Sequence, residues 1–478
     1  MKRILLFIFL VFGLNAFAQN AYEIKVTFKP FKNQYIYLGH YFGKSYPITD
    51  SVKLNDKSEG VFKGTKKLPG GIYLIGYPGK AGYFEIMVDK QQKFSVIADT
   101  ATLNTTGIKY INSPDNLLFT SYQKFMAVKG TSITNLKEQL KNAGNKQDSE
   151  QITAQLTKLD KEVTAYREDI IKKNPNNILS ALLITMREPI LTGRLKEPQN
   201  KTDSLDSWYY YKKHFWDGVY FWDGRLAYTT LFEEKLDKYF EQLVVPQQDS
   251  IIKELDWMIG AANINEEMTR FLLVKFVNRY LNQKYMWEDA VFVHLYEKYF
   301  SQKTYSWLNE KGVKTITDRA YSLMANIMGN PAADIELPDS AGKTTSLYKL
   351  NANYTIVVFW DPTCGHCKEV LPKLDSFYRA KWKAAGLKIF AIGKETDGNR
   401  KDWLNFINEL QIQDWTHVYY SKADDKDRID NNIPGYSQLY DVLTFPTLYL
   451  LDKDKRIVAK KLTYQQTDDV LQLKMKNQ

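Results

Sequence analysis

Only two cysteines occur in the 478 residues, and both fall in one short stretch, Cys364-Gly365-His366-Cys367. A structural disulfide framework is therefore excluded, because a chain of this size cannot be stapled by a single pair three positions apart. The pair is there for its reactivity. Histidine is also scarce: besides His366 there are only His40, His214, His294 and His417, none at metal-ligand spacing, so zinc would lack half its ligands. Covalent haem attachment needs C-x-x-C-H, and Lys368 occupies the histidine position. Past the first eighteen residues no apolar run is long enough to span a bilayer. Charge of one sign gathers nowhere: the formal charge is +10, but acids interleave with Lys and Arg almost throughout. That argues against nucleic acid or an anionic membrane surface as partner, since both call for clustered positive charge on one element.

What is present begins with an export signal. Lys2 and Arg3 precede an apolar run from Ile4 to Phe12, and Ala16-Phe17-Ala18 supplies an A-x-A cleavage site. The segment reads as a secretory signal peptide cleaved after Ala18, with a retained anchor as the alternative, and it implies an exported, periplasmic protein that does not span the membrane. The charge is then +8, since Lys2 and Arg3 leave with residues 1–18. The remaining length suits three domains of about 150 residues each.

Three textures divide it. From 19 to 110 apolar and polar residues alternate, as in Tyr22-Glu23-Ile24-Lys25-Val26-Thr27-Phe28 and Gln34-Tyr35-Ile36-Tyr37-Leu38. That period of two predicts half-buried strands, separated by turns at Leu68-Pro69-Gly70-Gly71 and Tyr77-Pro78-Gly79-Lys80, hence an all-β sandwich or barrel. From 111 to 330 the spacing becomes helical. Ser113-Pro114-Asp115 opens a helix, and Ile152, Leu156, Leu159, Val163, Tyr166 and Ile170 share one face of another that ends at Asn174-Pro175. An FWDG tetrapeptide occurs twice, at Phe215-Trp216-Asp217-Gly218 and Phe221-Trp222-Asp223-Gly224. Those aromatics suit either ordinary packing between helices or a peptide-binding groove. From 331 to 478 the pattern is α/β, with a buried strand Tyr354–Trp360 running into the cysteine pair, a helix stopped by Gly386, and a second strand at Leu387-Lys388-Ile389-Phe390-Ala391-Ile392.

This last region resembles the thioredoxin superfamily. Trp360 stands four residues before the first cysteine, Pro372 five after the second, and Thr444-Phe445-Pro446-Thr447 leads a strand in the position of the family's cis-proline loop. The longer spacing and an extra hairpin before the first strand are similar to the exported branch related to TlpA and ResA. The resemblance implies a thioredoxin-like fold over 331–478 and thiol-disulfide exchange without a cofactor. It also implies a cis Pro446 that sets the Phe445 backbone beside the sulfurs, and substrate contacts from Trp360, Thr363, Gly365, Phe445 and Pro446. Its partners would be thiols or disulfides of exported polypeptides, and a membrane redox partner that recharges the pair.

Independently of family, a cysteine at a helix start faces the positive end of the dipole and free N–H groups, which favour thiolate. Cys364 is accordingly the expected nucleophile and Cys367, one turn further in, the resolving thiol. His366 can stabilise the Cys364 thiolate, or be a surface histidine without a redox role. Potentials of about −180 mV for a disulfide isomerase and about −270 mV for thioredoxin bracket the expectation, with the Gly-His dipeptide favouring the first. Two departures stand out. Val358 occupies the place of the buried acid six residues before the first cysteine, leaving Glu369 and Glu395 as candidate proton acceptors, and Thr363 replaces a common tryptophan. A peroxidase of the same fold is the enzymatic alternative, although Asp361 stands where peroxiredoxins carry threonine. A periplasmic binding or scaffold protein with an incidental cysteine pair is the other.

Overall fold

The computed structural model describes residues 21–102 and 107–476. The expected signal peptide, 1–18, lies outside the described residues. The chain divides into two compact units: one runs up to Val244 and takes in Asp256–Leu273, and the other comprises Val245–Leu255 and everything described from Val274 onward. The helical stretch 111–330 is thus shared between the units. No helix of the described residues is long and apolar enough to cross a membrane.

In the first unit the alternating segments form eight strands: β1 Tyr22–Lys29, β2 Tyr35–His40, β3 Ile48–Lys53, β4 Glu59–Gly64, β5 Gly71–Gly76, β6 Tyr83–Val88, β7 Lys93–Asp99 and β8 Lys109–Ile111. They make two four-stranded sheets, β4-β1-β7-β8 and β3-β2-β5-β6. The inward positions of both, among them Ile24, Val26, Phe28, Ile36, Leu38, Ile86 and Val96, share one core, so the architecture is a sandwich. Helices Pro114–Lys141 and Lys146–Lys173 follow. Ser113 sits at the N-cap of the first, but its side chain caps no backbone N–H; its hydroxyl instead accepts from Asn116 Nδ2 at 2.8 Å. Of the repeated FWDG rings, Phe215, Trp216 and Phe221 are buried, while Trp222 is 49% exposed and stacks on Tyr220.

The second unit carries a hairpin of β9 Glu336–Pro338 and β10 Thr344–Ser346, and a five-stranded sheet from β11 Tyr354–Trp360, β12 Leu387–Lys394, β13 Thr416–Tyr420, β14 Thr447–Asp452 and β15 Ile457–Lys460. The order is β13-β12-β11-β14-β15. The first three strands are parallel, as strand-helix-strand connections require, and the last two antiparallel. β11 is buried throughout because both faces are covered: Ile356, Val358 and Trp360 enter one core with Cys367, Leu371 and Trp403, while Val357 and Phe359 enter the other with Phe390, Tyr420 and Tyr440. Helices Glu288–Leu295 and Glu310–Met324 belong to this unit as well. They bind it through a buried cluster in which Lys460, on the edge strand β15, pairs with Asp289 and donates to the Asn326 carbonyl at 2.6 Å.

Candidate active site

β11 ends at Trp360, and the chain turns over Asp361-Pro362-Thr363 into the helix Gly365–Phe377, with Cys364 as its N-cap residue. The turn is made by Asp361, a 4% exposed carboxylate whose Oδ1 accepts both the Thr363 N–H and the Thr363 hydroxyl at 2.6 Å. Its Oδ2 accepts from Thr396, just beyond β12, and its carbonyl accepts the Cys364 N–H at 3.1 Å. This local Asx turn fixes the angle at which the helix leaves the strand.

Both cysteines are free thiols. Cys364 is partly exposed, and its thiol donates to the Phe445 carbonyl at 3.7 Å, across the cis Phe445–Pro446 bond. Cys367 is wholly buried. Burial first, then its hydrogen bond to Cys364 and the charges of Cys364 and Asp361, push its thiol far above the ordinary range, while the Asp361 backbone N–H pulls the other way. The pair thus has an accessible sulfur in front and a protected thiol behind it.

The remaining residues singled out from the sequence fall in three places. Trp360 is fully buried beneath the turn, its ring 4.9 Å from Phe406 and 6.4 Å from His417. Thr363 and Gly365 are exposed. A Cβ at Gly365 would meet nothing within 4 Å, so glycine there answers no packing demand and leaves open ground beside the sulfur. His366 is exposed, with Nδ1 3.9 Å from an exposed Glu369, and lines a groove together with Pro446. Glu395 accepts the Lys422 N–H at 3.3 Å.

Among the causes that raise the Cys367 thiol, the carboxylate is that of Asp361, ranked behind burial and Cys364. Sequence reasoning passed over Asp361 because its partner Thr396 is 35 residues away; the available signal was the Asp-Pro-Thr turn leading into the first cysteine. His417, buried under Trp360, is another such residue. It gives Nε2 to the Ile412 carbonyl at 2.8 Å, leaves Nδ1 unpartnered, and is lowered by burial to a pKa of about 4. Among the described residues no group of His, Cys, Asp and Glu could hold a metal ion.

Comparison with known proteins adds the following. Residues 328–460 match the AhpC/TSA family, and residues 141–320 match a domain of unknown function, DUF5106. No curated protein matches the chain. Among solved structures, a domain of a possible thiol-disulfide isomerase from Cytophaga hutchinsonii is 35% identical over 31% of this chain and 94% of its own, with a TM-score of 0.27. A thioredoxin-like protein from Bacteroides caccae is 22% identical over 60% of this chain and 98% of its own, with a TM-score of 0.44. A thiol:disulfide interchange protein from Bacteroides sp. is 29% identical over 30% and 91%, with a TM-score of 0.26.

Proposed function

Because the C-terminal α/β domain of this chain belongs to the thioredoxin superfamily, we propose that the protein is a thiol-disulfide oxidoreductase acting on exported polypeptides through Cys364 and Cys367. The observation that carries this reading is the asymmetry of the pair, one sulfur accessible at a helix N-cap beside the Phe445 carbonyl and the other wholly buried behind it. Cys364 as thiolate attacks a client disulfide, forming a mixed disulfide and releasing one client thiol. Cys367 then attacks Cys364 Sγ, releasing the second client thiol and leaving the Cys364–Cys367 disulfide. Two electrons and two protons pass from the dithiol to the client, and the reverse sequence oxidises client thiols. No cofactor takes part, and a membrane redox partner resets the pair. An extended client can lie along Phe445 and Pro446, over Thr363 and Gly365. Export rests on the N-terminal sequence.

A second reading, thiol peroxidase, is favoured by the AhpC/TSA match. It differs in the oxidant: a peroxide oxygen would go to Cys364 as sulfenic acid, and Cys367 would condense with it to release water. One experiment separates the two. The reduced protein is assayed for insulin disulfide reduction and for hydrogen peroxide consumption, with Cys364→Ala as control. Insulin reduction that disappears in Cys364→Ala supports the proposal. Peroxide consumption without insulin reduction transfers the function to the peroxidase, and activity of neither kind refutes redox catalysis.

A further inference from the structure

A groove of about 530 Å³ has walls that include His366, Lys373, Leu443, Pro446, Lys461 and Tyr464, and Pro446 follows the Phe445 whose carbonyl accepts from the Cys364 thiol. Leu443 is 77% exposed at its rim. The one carboxylate in the lining is Asp441, which is 2% exposed. Two cations meet it: Arg319 Nη1 at 2.5 Å from Oδ1, and Lys461 on Oδ2. Ser322 Oγ adds a hydrogen bond at 3.1 Å. Burial alone would raise the Asp441 carboxyl, but Lys461 and Arg319 outweigh it and hold the group below the ordinary carboxylate range. Arg319 does not come from the thioredoxin-like region. It projects from the helix Glu310–Met324 and is itself fixed by Gln283 Oε1 at 2.6 Å and the Leu281 carbonyl at 3.3 Å.

One negative charge in the groove is therefore matched by two positive ones, while Lys373 is exposed and makes no ion pair among the described residues. The groove presents net positive charge around an apolar rim. We propose that it selects client segments that are acidic and carry an apolar side chain near the reacting cysteine, and that Arg319, supplied by the upstream helix, is the positioning residue that keeps Asp441 from repelling them. The proposal deepens the thiol-exchange reading and rests on it for the chemistry, in which the dithiol gives two electrons and two protons to the client disulfide.

The test uses the full mature chain and two peptides of identical length. Each carries a leucine and a cysteine in disulfide with 2-mercaptoethanol, flanked in one by glutamates and in the other by lysines. Rates of disulfide reduction by the reduced protein are compared, and binding of the corresponding cysteine-to-serine peptides is followed by fluorescence anisotropy. The glutamate peptide is expected to react roughly tenfold faster at low salt, the lower end of electrostatic steering, with the ratio collapsing as salt is added. Arg319→Met should cut the ratio severalfold, and Lys373→Glu, an exposed change that does not challenge folding, should bring it to one or below. Equal rates and equal binding in the wild-type protein would overturn the proposal. Selective binding without reduction of either peptide would uphold the groove while refuting thiol exchange.

Discussion

Replacing Asp361 by asparagine removes one charge from behind the sulfurs while keeping an oxygen for the Thr363 N–H and hydroxyl and a polar group for Thr396. The charge of Asp361 is the last-ranked of the causes that hold the Cys367 thiol so high, after burial and the hydrogen bond and charge of Cys364. An interaction of about 1.4 kcal/mol between that carboxylate and a thiolate, modest for a buried pair, corresponds to tenfold in thiolate fraction. The more acidic thiolate is also less nucleophilic: with a Brønsted slope of about 0.45, a tenfold gain in acidity costs about threefold in intrinsic rate. The resolving step should therefore become about threefold faster. The assay is stopped-flow release of thionitrobenzoate from Ellman's reagent, in which the first equivalent reports attack by Cys364 and the second its displacement by Cys367. Because Cys367 titrates far above neutrality, the second phase should rise about tenfold per pH unit in both proteins, the variant's line lying above the wild type's. A slower second phase would mean that Asp361 takes up the Cys367 proton, and an unchanged one that its charge does not reach the sulfur. Either result refutes the electrostatic argument.

Cys367→Ser should accumulate mixed disulfides with client polypeptides, visible as thiol-reversible adducts on non-reducing gels, whereas Cys364→Ser should form none, since the remaining thiol is buried. His417 is buried neutral with a pKa of about 4. Its unfolded counterpart binds a proton from about pH 6.5, so the stability it contributes is present above that value and is lost as the pH falls toward 4. Between pH 7 and pH 5 that loss is about 2 kcal/mol, and His417→Phe, compared by urea unfolding, should flatten the acid limb by this amount. Asp289→Ala leaves Lys460, 2% exposed, without its counter-charge and should destabilise the second unit by about 3 kcal/mol. Asp289→Leu with Lys460→Met should recover most of that loss in the same unfolding measurement.

The parts of the fold legible in the sequence were those governed by local periodicity. The alternating run from Tyr22 to Phe28 lies within the strand Tyr22–Lys29, and the six apolar residues from Ile152 to Ile170 lie on one helix, of which Val163 and Ile170 are buried. β11 was visible as a buried strand because its residues, apolar but for Thr355, are covered on both faces. Contacts between residues distant in sequence left no such trace. Arg319 meets Asp441 across 122 residues and Lys460 meets Asp289 across 171, and nothing in the local pattern marks either pair. Ser113 shows the limit even at short range, since Asn116, one turn away, takes the hydroxyl that the capping signal assigned to the backbone. At the site the cysteine pair was readable from its spacing and Pro446 from the resemblance to the thioredoxin superfamily, whereas Asp361 was hidden by its dependence on the loop after β12.

The central claim, that Cys364 and Cys367 form one cycling two-electron couple, is tested most directly by equilibrating the protein against glutathione redox buffers and quantifying free thiols. The account predicts a single two-electron transition with a potential between about −270 and about −180 mV, absent in Cys367→Ser. A pair that stays reduced or oxidised across the whole range, or a transition that persists in Cys367→Ser, would contradict it.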